Sequence, residues 1–312
     1  MDLLSDILSN LQLKGSLYFR TSFTSPWSIR VPAYKKVSRF HFAHRGRCLV
    51  RIDPKKDAIS LDQGDLIIIT QGAPHTLFCQ PETEDQLVQL EDVIEQSQYS
   101  GTGALVYGDP GTDHETQLIC GHFSVDQDAR HPLIDALPEY ILIKEYGNVS
   151  GAWMETTLKI IGSEAGKEDI GSDLIALRMS EIIYAQAMRT YLCSNEAKAT
   201  ILAGYADEKL AKAIRSIHQD PGYPWSLAEL SKVSGLSQSS FANRFKEKLS
   251  LTPHHYMTQW RMQIARQKLK ETDAAVIEIA EMVGYQSEAA FGRVFKKEFG
   301  IAPVTYRKRK RT

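Results

Sequence analysis

SLAELSKVSGLSQSSFANRFKEKLSLTPHHY (Ser226–Tyr256) is followed by AVIEIAEMVGYQSEAAFGRVFKKEFGIAPVTY (Ala275–Tyr306), and the second stretch repeats the first. A shift of 49 residues lays Glu229 on Glu278, Leu230 on Ile279 and Gly235 on Gly284. Beyond the glycine, a shift of 50 lays Ser237, Phe241, Phe245, Lys246, Pro253 and Tyr256 on Ser287, Phe291, Phe295, Lys296, Pro303 and Tyr306. Each copy reads as an apolar-periodic helix, a glycine turn, a serine that can cap the next helix, and a second helix with two phenylalanines four residues apart. A plain pair of helical hairpins needs only the apolar spacing. Agreement in turn, cap, Phe spacing and following proline is more than packing alone requires.

These residues carry a resemblance. From about Asp207 to Arg307 the chain resembles the DNA-binding domain of AraC/XylS-family transcription regulators, most strongly in IAEMVGYQSEAAFGRVFKKEFGIAPVTYR. The resemblance implies two helix-turn-helix units joined by one long helix, here about Pro253 to Glu271. Such a pair would read two successive major-groove segments of double-stranded promoter DNA. RNA polymerase is a further partner implied by the family.

Helical phase and the resemblance together assign roles within the two second helices. In the first, Ser239, Ala242 and Asn243 fall on the exposed side; Asn243 can pair with adenine N6 and N7, and Ala242 can touch a thymine methyl. In the second, Glu288, Ala289, Gly292 and Arg293 correspond. Arg293 suits guanine O6 and N7, and Glu288 can accept from a cytosine amine. Arg244, Lys246, Arg261, Arg266, Lys296 and Lys297 read as phosphate contacts, which give affinity without sequence information. The basic run Arg307–Arg311 either reaches the DNA backbone or is a solvated end.

At 312 residues the chain can bury two cores. Its net charge of −1 hides a division: Tyr205–Thr312 holds 19 Lys and Arg against 11 Asp and Glu, and the remainder 18 against 27. An acidic front and a basic back fit an effector domain attached to a phosphate-binding one. The sequence contains no run of eighteen apolar residues, and MDLLSDILSN carries two aspartates before any lysine, so neither a membrane span nor a secretory signal is expected. The expected location is cytoplasmic. Cys48, Cys79, Cys120 and Cys193 form no CxxC pair, and structural disulfides are not expected.

The front half opens with an apolar-periodic helix over Asp2–Leu13, expected to pack against a β-barrel built by the residues after it. Short β-rich runs come next (LYFRTSF, RFHFAH, CLVRID, DLIIIT, TLFC, TQLICGHFSV), a pattern for a sandwich or barrel. GDLIIITQGAPH (Gly64–His75) resembles the second motif of cupins, with Thr70 where that motif has proline. FHFAHRG keeps a histidine and the closing glycine of the first motif but lacks its His-x-His and glutamate. LICGHFSVDQDARHPLIDALPEYILI resembles the cupin subgroup fused to this type of DNA-binding domain.

Cys120 and His122 lie two apart on a strand and share a face. With His41 and His75 they could give four ligands for tetrahedral zinc; they equally fit packed core histidines and a small buried thiol. His114 is a substitute ligand by parity, and His44 points the other way from His41. A redox role for Cys120, with Cys48 or Cys79 as partner, is a third reading.

From Gly151 the pattern turns helical. AWMETTLKIIGSEA and DLIALRMSEIIYAQAMRTYL form a hairpin whose second helix carries Leu174, Leu177, Met179, Ile182, Ile183, Ala187 and Leu192 as a broad apolar stripe. That stripe either packs within the chain or pairs a homodimer, as in the family. The expected fold is α+β and multidomain: a cupin-like β-barrel sensor over 1–149, the helical hairpin and linker over 150–204, and an all-α domain with two helix-turn-helix units over 205–312. The expected function is a one-component, sequence-specific DNA-binding regulator that answers an unidentified small-molecule, metal or redox effector and is not an enzyme. The alternative is a metal-dependent cupin enzyme with a helical assembly domain.

Overall fold

The computed structural model describes residues 2–34, 36–54, 57–101, 103–108, 115–126, 128–144, 156–157, 160, 164, 169–198, 200 and 202–311. They form two compact units that do not follow chain order. One takes Leu13–Val125 and Leu137–Thr190; the other takes Met1–Gln12, Asp126–Ala136 and Tyr191–Thr312.

The first unit is the β-rich one. Strands β1 (Lys14–Thr24), β3 (Val37–Arg45), β6 (Leu66–Ile69), β9 (Ala104–Tyr107), β10 (Glu115–Ser124) and β11 (Tyr140–Ile143) form one sheet in the order β11-β6-β3-β10-β1-β9. A second sheet runs β5-β4-β7-β2-β8, with β2 Ser28–Val31, β4 Cys48–Ile52, β5 Ile59–Leu61, β7 His75–Phe78 and β8 Val88–Gln89. Alternation along β4 buries Cys48, Val50 and Ile52, and these meet Ala43, Ile67, Ile69, Leu77, Leu118 and Cys120 in one apolar core. The other face of the first sheet is apolar too. Phe40 stacks on Phe123 at 4.8 Å, and Phe123 meets Tyr184 of the long helix Ser172–Cys193 at 4.6 Å. Gly121 makes this stacking possible: a Cβ there would lie 2.6 Å from the Phe40 ring and would strike the Ser16 carbonyl oxygen.

The helix Ser172–Cys193 divides the apolar stripe expected of it. Ile183, Ala187 and Leu192 are buried, whereas Leu174 and Ile182 are exposed along with Ile175. The first helix of the expected hairpin falls largely outside the described residues.

The second unit is helical. We number its helices with the rest of the chain: α1 (Leu3–Asn10), α2 (Leu90–Gln96, in the β-rich unit), α3 (Pro132–Asp135), α4 (Ser172–Cys193), α5 (Asn195–Lys198), α6 (Ala203–Ala206), α7 (Glu208–Gln219), α8 (Leu227–Val233), α9 (Gln238–Leu249), α10 (Pro253–Glu271), α11 (Val276–Met282), α12 (Glu288–Phe299) and α13 (Pro303–Arg311). Two helix-turn-helix units, α8–α9 and α11–α12, are linked by α10, whose bounds match the sequence expectation. Ser226 and Glu229 close a capping box on α8. Ser237 and Ser287 cap α9 and α12, accepting from the Ser240 and Ala290 N–H groups at 3.2 Å each. Gly235 and Gly284 turn with φ of +63° and +84°, where a side chain would be strained. Phe291 and Phe295 fill a core with Met262, Ala265 and Leu269 of α10.

Helix α1 corrects an expectation. Its amphipathic pattern buries Leu3, Ile7 and Leu8, and its packing partners are α7 and α10 of the helical unit, where the sequence reading expected the barrel.

The segment 126–136 is tied to α10 and α13 by charge and by hydrogen bonds. Asp126 is gripped by Arg266 and Lys270, and Tyr306 donates to Asp128 at 2.9 Å. Next to these contacts, His131 is fully enclosed. Its Nδ1 accepts from Leu133 N–H at 3.1 Å, so Nε2 carries the proton and faces the Tyr256 hydroxyl at 3.3 Å. That hydroxyl then donates to His218 Nε2 at 2.9 Å, and His218 lies flat against Trp260, with ring centres 3.6 Å apart.

Candidate functional site

Each recognition helix begins at a serine cap, and the helix-turn-helix arrangement leaves its first turn open on one side. Ser239, Asn243, Glu288, Ala289 and Arg293 are exposed there, as are Lys246, Lys296 and Lys297; Ala242 is half-buried. At Gly292 a Cβ would meet no atom within 4 Å, so no packing demand explains the small residue, and the space beside Arg293 is open to a ligand. Gln238 and Gln286 flank the two cap serines and are also exposed. The sequence reading passed over both, although a glutamine beside each cap was the signal; an amide there can address an adenine edge.

Three cations expected at phosphates are committed elsewhere. Arg244 donates Nε and Nη2 to Asp207 at 2.9 and 2.5 Å, and Asp207 itself caps α7. Arg261 donates to the carbonyl oxygens of Pro221 and Tyr223 at 2.6 and 2.8 Å and is buried, which lowers its pKa. Arg266 has a fully buried side chain and is held by Asp126. All three brace the helices that present the reading face. In the basic tail, Arg307 donates to the Ala274 carbonyl at 2.6 Å, and the side chains of Lys310 and Arg311 lie outside the described residues.

Within the β-rich unit, His41 and Cys120 stand opposite each other on β3 and β10. His75 enters from the other sheet. His75 Nδ1–H donates to the Ala73 carbonyl at 2.9 Å, leaving its Nε2 as acceptor for His41 Nε2–H at 2.8 Å. His41 Nδ1 then accepts from the Cys120 thiol at 3.1 Å. Burial, with the charges of His75 and Arg39, holds His41 well below the usual imidazole range, and burial lowers His75 to about 4. Burial also pushes the Cys120 thiol up to about 12. All three side chains are neutral at pH 7, joined in one directed chain.

This arrangement does not fit the expected zinc centre. His41 turns its two nitrogens to different partners, and the lone pairs that would bind metal on His41 and His75 already accept hydrogen bonds. His122 lies two pairs further along, opposite Arg39, and is half-buried; burial first and the Arg39 charge second lower its pKa. His114 lies outside the described residues. Gently purified, untagged protein is expected to carry well under one zinc per chain by elemental analysis. Near-stoichiometric zinc that disappears in a Cys120→Ala, His122→Ala variant would overturn this geometry.

A β-rich unit joined in one chain to twin helix-turn-helix units defines a DNA-binding transcription regulator. A cupin family profile matches residues 2–193 and a helix-turn-helix domain profile residues 230–309. A putative AraC-like transcription regulator of Streptomyces lividans is 30% identical over 99% of this chain and 98% of its own length. An uncharacterized helix-turn-helix transcriptional regulator of Haemophilus influenzae is 27% identical over 99% of both chains. The crystal structure of an AraC-type regulator from Chromobacterium violaceum is 25% identical, covering 33% of this chain and 91% of that one at a TM-score of 0.32. The chain belongs to the AraC-like family of transcription regulators, with a cupin domain at its front. Its role is regulation and not catalysis, which sets aside the cupin-enzyme reading. Among the described residues no helix is long and apolar enough to cross a membrane.

Proposed function

We propose that the two recognition helices read adjacent major-groove segments of promoter DNA in the cytoplasm, with Arg293 as the principal base contact and Lys297 as a phosphate contact. The observation that carries this is α10. Its 19 residues span about 28 Å at 1.5 Å per residue, and the helix-turn-helix units at its two ends carry their recognition helices outward toward the ~34 Å of one duplex turn. We further propose that the cupin domain receives the effector, that the exposed Leu174, Ile175 and Ile182 on α4 pair two copies of the chain, and that the DNA-bound form acts on RNA polymerase.

The test uses the full chain on a duplex selected from a random-sequence pool. Arg293→Ala is expected to weaken binding to the selected site by about 1–3 kcal/mol, or roughly 5- to 150-fold, and to relax one base position. Lys297→Ala is expected to weaken selected and random duplexes alike and to flatten the salt dependence by about one counterion. Equal loss on both duplexes in Arg293→Ala would reassign that residue to phosphate.

A further inference from the structure

Strands β4 and β7 are antiparallel, with Leu49 opposite Phe78, Val50 opposite Leu77, Arg51 opposite Thr76 and Ile52 opposite His75. The paired residues end at Leu49 and Phe78, and continuing that register by one step would set Cys48 opposite Cys79. Residues opposed in an antiparallel pair have Cα atoms about 4.5–5.5 Å apart and point to one face, which lies within the ~4.4–6.8 Å that a disulfide spans. Both thiols are free. Cys48 belongs to the apolar core, and Cys79 packs against that core.

The two thiols share a cavity of about 220 Å³, lined also by Arg47, Leu49, Ser60, Gln80 and Pro81. They are unequal. Cys48 is 1% exposed, while Cys79 is partly exposed. The Trp27 N–H donates to the Cys79 sulfur at 3.3 Å, and the Ser25 and Thr83 hydroxyls lie at 3.3 and 3.5 Å. Cys120 also lies near Cys48, but its thiol is buried and already donates to His41. Cys193 is exposed on α4 and lies in neither strand.

We infer that Cys79 and Cys48 form a redox-active dithiol that hydroperoxides oxidise to a cross-strand disulfide. The Cys79 thiolate attacks the near oxygen of the peroxide, the O–O bond breaks, and the leaving oxygen takes a proton to depart as water or alcohol. Cys79 is then a sulfenic acid. The Cys48 sulfur attacks it, the S–O bond breaks, and hydroxide leaves as water with the proton from Cys48. Two thiols and one hydroperoxide thus give one disulfide, one water and one water or alcohol. Cys79 is the attacking thiol because it is the one the cavity exposes; Cys48, sealed behind it, is the resolving one.

The test is stepwise hydrogen peroxide on the reduced, full-length Cys193→Ser protein, read by intact mass and non-reducing peptide mapping, with circular dichroism of each variant as the folding control. One equivalent is expected to remove two hydrogens and to link the peptides holding Cys48 and Cys79. Cys48→Ser should stop at a sulfenic acid on Cys79 that dimedone traps, and Cys79→Ser should react at least about tenfold more slowly, with no linked peptide. Oxidation falling first on Cys120, or a folded Cys79→Ser protein that oxidises at the wild-type rate, would overturn the inference. So would Cys79 passing to sulfinic acid with Cys48 still reduced.

Discussion

Asp126→Ala is expected to cost the helical unit about 3–5 kcal/mol, a loss comparable to the whole stability of many domains. Burial alone would raise the Asp126 carboxyl, but Lys270 and Arg266 hold it low. The Arg266 side chain is fully buried, and its Nε also donates to Gln263 at 3.2 Å. Without the carboxylate a guanidinium stays buried with its charge uncompensated. The magnitude therefore reflects the orphaned cation more than the net worth of the pair. Removing both charges, as in Asp126→Leu with Arg266→Met, should recover most of the loss. Denaturant unfolding of the full chain, followed by fluorescence of Trp225 and Trp260, gives the comparison. A single variant within about 1 kcal/mol of wild type, outside the spread for buried pairs, would contradict this account.

Mild acid should have an effect of similar size. Burial lowers His131 to about 3 and His75 to about 4, whereas in an unfolded chain each titrates near 6.5. Above the unfolded value both states are neutral and the stability is complete. As the pH falls below it, the unfolded chain gains protons that the folded chain refuses, and stability drains until the folded values are reached. Each histidine contributes a slope of about 1.4 kcal/mol per pH unit, so about 2 kcal/mol apiece is lost by pH 5. His131 sits in the helical unit and His75 in the β-rich one, so both unfolding transitions should shift, and both before most carboxylates titrate. Melting temperatures measured from pH 7.5 to 5 test this. A flat profile would mean that water reaches the two rings.

The helix-turn-helix units were legible because their determinants are local. Ser237 and Ser287 cap helices that start one residue later, Gly235 and Gly284 make the turns, and Pro253 opens α10. What the sequence could not show was where a distant residue takes over a side chain. Arg266 reads as a phosphate contact until Asp126, 140 positions earlier, claims it. The pattern of α1 shows that one face is buried without showing against what. In the β-rich unit, strand parity placed Cys120 and His122 on one face, but only the register between β3 and β10 sets His41 opposite Cys120. Which nitrogen each ring turns toward its neighbour decides between a metal centre and a hydrogen-bond chain, and that depends on rotamers set by the other sheet.

The helical unit takes pieces from the front, the middle and the back of the chain. Ribosomes add about 5–20 residues per second, so α1 leaves the tunnel roughly 10–50 seconds before α7 and α10, on which it packs, have been made. Over that interval Leu3, Ile7 and Leu8, together with the enclosing surface of His131, have no finished partner. The helical unit therefore closes only after the residues of the β-rich unit have been made. A nascent chain stalled before α10 would present an apolar helix and a lone acidic segment, the kind of surface that chaperones hold.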